Sequence, residues 1–205
     1  LLMVFLYSGC AAVAPESIAG EKERGTIATM LITPIRRSDV ALGKILALAL
    51  ISMISAVSST VGTVLSLPKM MGGMSDEVSA DIYSVQDYLL LAAVIFSTVL
   101  VLVTVISILS AFAKTIKEAQ TYVMPVMLVV MGLGIVGMFG GGASQELAEY
   151  CIPLYNSVQC MVGVFSFSVL PLGVAATVGV NVVVTLVGVV VLARMFNSEK
   201  IIFSK

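Results

Sequence analysis

Histidine and tryptophan are absent from this 205-residue chain, and only 11% of its residues are charged. Without histidine, an HExxH metalloprotease and a Ser-His-Asp triad are both excluded within the chain. No GxxxxGK(S/T) run occurs, so the chain carries no phosphate-binding P-loop of its own. The three cysteines, Cys10, Cys151 and Cys160, form no CxxC pair, which leaves zinc and thiol-redox motifs without support. They read as small buried apolar residues. Cys151 and Cys160 would bridge only if their segment turned near Pro153 and faced an oxidising compartment. Net charge is −1 and no basic run carries interleaved aromatics, which argues against a nucleic-acid partner. The expectation is therefore no catalytic residue, no metal site and no cofactor bound by this chain.

The residues that are present are mostly apolar. Hydrophobic residues make up 59% of the chain and the mean hydropathy is +1.11. A soluble domain carries about 25% charged residues, more than twice the fraction here. The apolar residues fall in long blocks, the pattern of an all-α, polytopic bundle of membrane-spanning helices. Residues 45–68, 88–113, 121–142 and 172–193 are uncharged and long enough to cross. Residues 1–15 are apolar from the first position, but at 1.5 Å per residue reach only about 22 Å, short of the ~30 Å hydrocarbon core. They are expected to be the end of a partial first span, with a further span upstream. Residues 143–171 are broken at Pro153 and interrupted by Asn156 and Gln159, and read as a short interfacial or re-entrant segment on the outer face.

Alternating these spans across a bilayer sorts the basic residues. Ten of the eleven Lys and Arg fall on one side, in 16–44, 114–120 and the C-terminal tail, and only Lys69 falls on the other. That bias places the first side, and the C-terminus, in the cytoplasm. The densest of these segments is 16–44, with Glu16, Glu21, Lys22, Glu23, Arg24, Arg36, Arg37, Asp39 and Lys44 between two apolar runs. Ser17 to Arg24 can start a helix, Gly25 and Thr26 can end it, Pro34 breaks the stretch after them, and Ser38 or Asp39 can cap the next helix. One reading is a solvated loop whose charges only hold topology. The other is a surface that a soluble protein grips, favoured by acids and bases alternating around the short apolar stretch 27–33.

Within the read spans there is no Asp, Glu, Lys or Arg, which argues against a proton relay or charge-coupled carrier. Ser55, Ser59 and Thr63 step along one face of the second span. Small polar residues at that spacing let helices approach, or else line a pathway. Asn181, alone in the last span, reads as an interhelical hydrogen-bonding residue, or else joins Ser55, Ser59 and Thr63 in lining a pathway. Gly137 and Gly141 have GxxxG spacing, a weak packing signal.

The ordered run EKERGTIATMLITPIRRSDVALGK, residues 21–44, resembles the cytoplasmic signature of ABC-2 type transporter permeases. AKTIKEAQTY (113–122), IPLYNS (152–157) and MFNSEKI (195–201) look like the sodium-export permeases of the NatB type within that family. The resemblance implies the transmembrane subunit of an ATP-binding-cassette exporter, a six-span fold of which five are visible here. It implies a second permease copy or paralogue, and a separate cytoplasmic ATPase subunit that binds ATP and Mg. A coupling helix would map onto about 16–33, with Glu16, Glu21, Lys22, Glu23, Arg24, Gly25 and Thr26 toward the ATPase and Pro34, Arg36, Arg37 and Lys44 beyond. Pro153 and Asn156 would mark the broken outer helices. The expected location is the cell membrane, multi-pass and in contact with membrane lipid. The competing readings are a non-transporting membrane scaffold or assembly protein, and an exporter of drugs or lipids rather than sodium.

Overall fold

In hydrocarbon no water reaches the backbone, so each apolar run must satisfy its own N–H and C=O groups, and a helix does so within one segment. That constraint overrides the weak helix propensity of the many Val and Ile residues. The computed structural model describes residues 1–26, 36–71, 84–139, 143, 146–166 and 168–197. In chain order the helices are α1 (Leu2–Glu23), α2 (Arg37–Met71), α3 (Val85–Phe112), α4 (Ile116–Phe139), α5 (Tyr155–Phe165) and α6 (Pro171–Asn197). All but α5 are long and apolar enough to cross a membrane, and no strand occurs among the described residues. The expected polytopic helical bundle is observed.

Helix ends follow local chemistry. Ser84 and Asp87 form a reciprocal capping box that starts α3: the Asp87 N–H donates to Ser84 Oγ and the Ser84 N–H to Asp87 Oδ2. Ala113 to Thr115 make a three-residue turn. Thr115 Oγ1 then accepts from the Glu118 N–H at the start of α4. α1 ends where Gly25 takes φ +74°, the left-handed conformation that glycine adopts without strain.

α3 is the centre of the bundle, touching every other helix. In its most apolar window 67% of residues are buried, against 17% for α4, which therefore forms the perimeter. The most extensive packing is between α3 and α6. These two run parallel: Ser97 meets Asn181, and seven residues on in both helices Thr104 meets Gly188. α1 and α2 run antiparallel, Gly9 against Ser55 and Glu21 against Lys44. The C-termini of α1, α3 and α6 and the N-termini of α2 and α4 consequently gather at one end, which carries Lys22, Arg24, Arg36, Lys44, Lys114 and Arg194.

Several sequence-based boundaries shift. Pro15 does not end the first helix; α1 runs through it for 22 residues, about 33 Å at 1.5 Å per residue. Glu16 to Glu23 are therefore its last turns rather than part of a loop. α2 starts at Arg37, ahead of the uncharged run 45–68, because Asp39 in its first turn suits the positive N-terminal end of a helix. Pro34 and residues 27–33 lie outside the described residues, as does Gly141.

Of the GxxxG pair, only Gly137 lies among the described residues. Gly137 faces Val158 of α5, whereas Gly132 and Gly134 meet nothing within 4 Å. The closest approach is at Gly188, where an added Cβ would run into the Thr104 methyl. Gly188→Ala is expected to destabilise the bundle by about 1–3 kcal/mol. Adding Thr104→Ser, which removes that methyl and keeps the hydroxyl bonded to the Leu100 carbonyl, should restore most of the loss in thermal unfolding.

Candidate functional site

Two regions carry the polar chemistry, one at the charged end and one halfway along the bundle. At the charged end, three consecutive residues closing α1 each bond to a different helix. The Lys44 ammonium of α2 donates to Glu21 Oε2 at 2.5 Å and to the Ser17 carbonyl at 3.5 Å. The Lys22 ammonium donates to the carbonyl of Ala111, in the last turn of α3, at 3.3 Å. The first N–H of α4, on Ile116, donates to Glu23 Oε2 at 3.0 Å. The last two contacts suit the helix ends they meet, a cation at the C-terminus of α3 and an anion at the N-terminus of α4. Helical geometry explains the fan: successive residues point about 100° apart, so three in a row reach three neighbours. Gly20 makes room, since an added Cβ would lie 3.2 Å from Ile116 Cδ1.

This arrangement divides the residues singled out from the sequence. Lys44 is 9% exposed and Glu21 28%, so their charges are directed inward. Lys22 is half-buried, and Glu23 is exposed but occupied by α4. Arg24, Gly25 and Thr26 are exposed, and Arg24 meets Glu16 at 3.6 Å with both side chains more than 60% exposed. Arg36 is exposed at the start of α2; Arg37 lies on that helix. Among the described residues, the exposed part of this charged segment is therefore narrower than the sequence suggests: Glu16, Glu23, Arg24, Gly25 and Thr26 at the end of α1, and Arg36 and Asp39 at the start of α2.

Halfway along the bundle lies a network that the sequence does not reveal as one. α4 carries the chain away from the charged end, and a 3-10 turn (Glu149–Cys151) then leads into α5. Pro153 is exposed in the turn before α5. Leu154 follows with φ +69°, unfavourable for a branched side chain. At 11 residues α5 spans about 17 Å, too little to cross, in keeping with a broken segment. Most of its residues are nevertheless buried, among α3, α4 and α6.

Asn156 at its start donates to Asn181 Oδ1 of α6 at 3.2 Å. Asn181 in turn donates to Ser97 Oγ of α3 at 3.1 Å and to Ser157 Oγ at 3.2 Å. The Ser157 N–H donates to Asn156 Oδ1 at 2.7 Å, and Cys160 Sγ lies 3.2 Å from Thr177 Oγ1. Asn156, Ser157, Asn181 and Thr177 are completely buried. Ser97 lies roughly 22 Å from the charged end of α3 and 18 Å from the other, so the network sits near mid-depth.

Asn181 thus holds three segments together, as an interhelical hydrogen-bonding residue should. Ser97 and Ser157 escape sequence reasoning because isolated serines in apolar runs give no signal. Ser55 packs on Gly9, and the Thr63 hydroxyl donates to the Ser59 carbonyl of its own helix. Cys151, which donates to the Leu147 carbonyl, and Cys160 are both free thiols. Among the described residues no group of His, Cys, Asp and Glu could hold a metal ion.

A family profile described as ABC-2 family transporter protein matches residues 2–200. The chain is also similar to a Bacillus subtilis (strain 168) protein named ABC transporter permease protein NatB, with 28% identity over 166 residues. That alignment covers 76% of this chain and 40% of the relative, so the chain matches less than half the length of that protein. No solved structure matches at a significant level. A family match running from residue 2 to residue 200 leaves almost nothing outside it, and the chain belongs to the ABC-2 family of transporter proteins.

Proposed function

We propose that this chain is the permease part of an ATP-binding-cassette exporter and that its charged end docks on a separate cytoplasmic ATPase. The observation that carries the reading is the fan of contacts at the end of α1. Any push on the exposed Arg24–Thr26 corner acts, through Glu21, Lys22 and Glu23, on α2, α3 and α4 together. A topology anchor alone needs no such connections. The positive-inside bias supports a cytoplasmic location for this end, and with it a cytoplasmic C-terminus. ATP and Mg would be held by the partner, and a second permease copy or paralogue would complete the pathway. Sodium as cargo rests on the resemblance of the sequence to sodium-export permeases. The buried amides and hydroxyls at mid-depth offer oxygens of the kind sodium takes, but they are engaged with one another. The docking reading does not depend on the cargo.

The structure selects the probe. Glu23→Lys would disturb α4 as well as docking, whereas the Arg24–Glu16 pair is an exposed one of little structural weight. Arg24→Glu in the full-length protein is expected to weaken ATPase co-purification by about tenfold, with the melting temperature unchanged. Undiminished co-purification and export would sink the docking role.

A further inference from the structure

A groove of about 510 Å³ opens between α1 and α2 beside the Glu21–Lys44 pair. Its lining changes character along its length. Glu21, Asp39 and Lys44 stand at the charged end, and Val13, Leu48 and Ile51 line it toward mid-bundle. Asp39 and Ile51 lie roughly 18 Å apart along α2, close to the ~15 Å depth of one leaflet of hydrocarbon. Gly43 contributes no side chain, and a Cβ built there would meet nothing within 4 Å. The groove adjoins the outward face of α2, where Leu46, Leu50 and Ile54 are exposed, a surface that only lipid or another apolar body can cover.

The charges at the mouth say which lipid. Lys44 is already engaged by Glu21 and the Ser17 carbonyl. Asp39 is exposed and accepts one hydrogen bond from its neighbour Ser38, at 3.3 Å. Among the lining residues, two carboxylates and one ammonium leave the mouth with one net negative charge, which disfavours a net anionic headgroup, and the exposed Asp39 carboxylate can accept hydrogen bonds that a primary ammonium donates and a quaternary one cannot. We propose that the groove is a binding site for a bilayer phospholipid with a primary ammonium headgroup, of the phosphatidylethanolamine class. Its acyl chain lies along Val13, Leu48 and Ile51 and its ammonium meets the Asp39 carboxylate. Such a lipid wedges α1 against α2 at the level of the ion pair, and so acts on the contacts that hold the charged end together. It occupies the same site whatever the cargo or the ATPase partner.

The test is lipid retention by the full-length protein, exchanged into nanodiscs holding equal phosphatidylethanolamine, phosphatidylglycerol and phosphatidylcholine, then stripped stepwise with detergent and weighed by native mass spectrometry. The wild-type protein is expected to retain phosphatidylethanolamine about fivefold over the other two. Asp39→Asn should remove the preference while keeping a bound lipid, and Gly43→Leu, which fills the groove, should lose it. Ala47→Phe fills the same groove from the next turn and serves if Gly43→Leu does not fold. Equal retention of the three lipids by the wild-type protein would overturn the proposal. So would retention that survives the filled groove. Neither result depends on ATPase docking, so the two proposals fail separately.

Discussion

Glu21→Gln is expected to destabilise the bundle by about 3 kcal/mol, and Lys44→Met by about half that. The two partners of this ion pair differ in what remains when the other is removed. Lys44 is 9% exposed, so Glu21→Gln leaves an ammonium inside the protein without a countercharge, facing only neutral acceptors, the glutamine amide oxygen and the Ser17 carbonyl at 3.5 Å. Uncompensated buried charges of this kind cost about 3–5 kcal/mol, and the partial exposure of Glu21 places this case at the lower end. Losing Lys44 instead leaves a carboxylate that is 28% exposed and can turn to water. Replacing both by groups of similar shape removes the imbalance. The double variant Glu21→Gln, Lys44→Met should therefore be more stable than Glu21→Gln alone. Thermal unfolding of the four purified proteins gives the cycle. Equal losses from the two single changes would mean that the pair is not buried as the structure shows.

Asn181→Leu is the second large change, expected to cost about 2–3 kcal/mol. It strips the acceptor from the Asn156 amide and the donor from the hydroxyls of Ser97 and Ser157, all buried. Leaving buried polar groups unsatisfied costs about 1–3 kcal/mol each, offset here by the apolar gain of leucine. Ser97→Ala breaks one bond of the same network and should cost about 0.6 kcal/mol, the average for such contacts between membrane helices. The double variant Asn156→Leu, Asn181→Leu should fall short of the sum of its parts by at least about 1 kcal/mol, since the two amides satisfy each other. Strict additivity would show that α5 is held by its apolar packing alone. α5 is too short to span, and this network joins it to α3 and α6 at mid-depth; on the proposed function, Asn181→Leu should impair export as well as stability.

The architecture is legible in the sequence because it rests on hydrophobicity: uncharged runs mark helices, and the Lys and Arg distribution ranks the two ends. The helix ends are less so. Ser17 to Arg24 read as a separate short helix or part of a solvated loop because they are charged, yet a charge closing a helix near the membrane edge is satisfied by its neighbours, and Pro15 fits within one continuous helix. The same blind spot hides the roles of Glu21, Lys22 and Glu23. Their charges are visible in the sequence, but the three partners that engage them lie 23 to 93 residues away. Asn181 and Asn156 each stand out in their segments; their contact depends on how α5 enters the bundle, which no local pattern encodes. Gly188 gives no signal beside the more regular Gly137 and Gly141, because close approach is a property of the facing residue, here Thr104.

The central claim is that the end carrying Arg24 meets an ATPase. A photo-activatable residue placed at Thr26 of the full-length protein, in native membranes, tests it directly when compared with the same residue at Leu172, exposed at the start of α6 at the other end. The account predicts an adduct from position 26 to a protein bearing a P-loop, and none to such a protein from position 172. No ATPase adduct from position 26, or equal adducts from both ends, would contradict it.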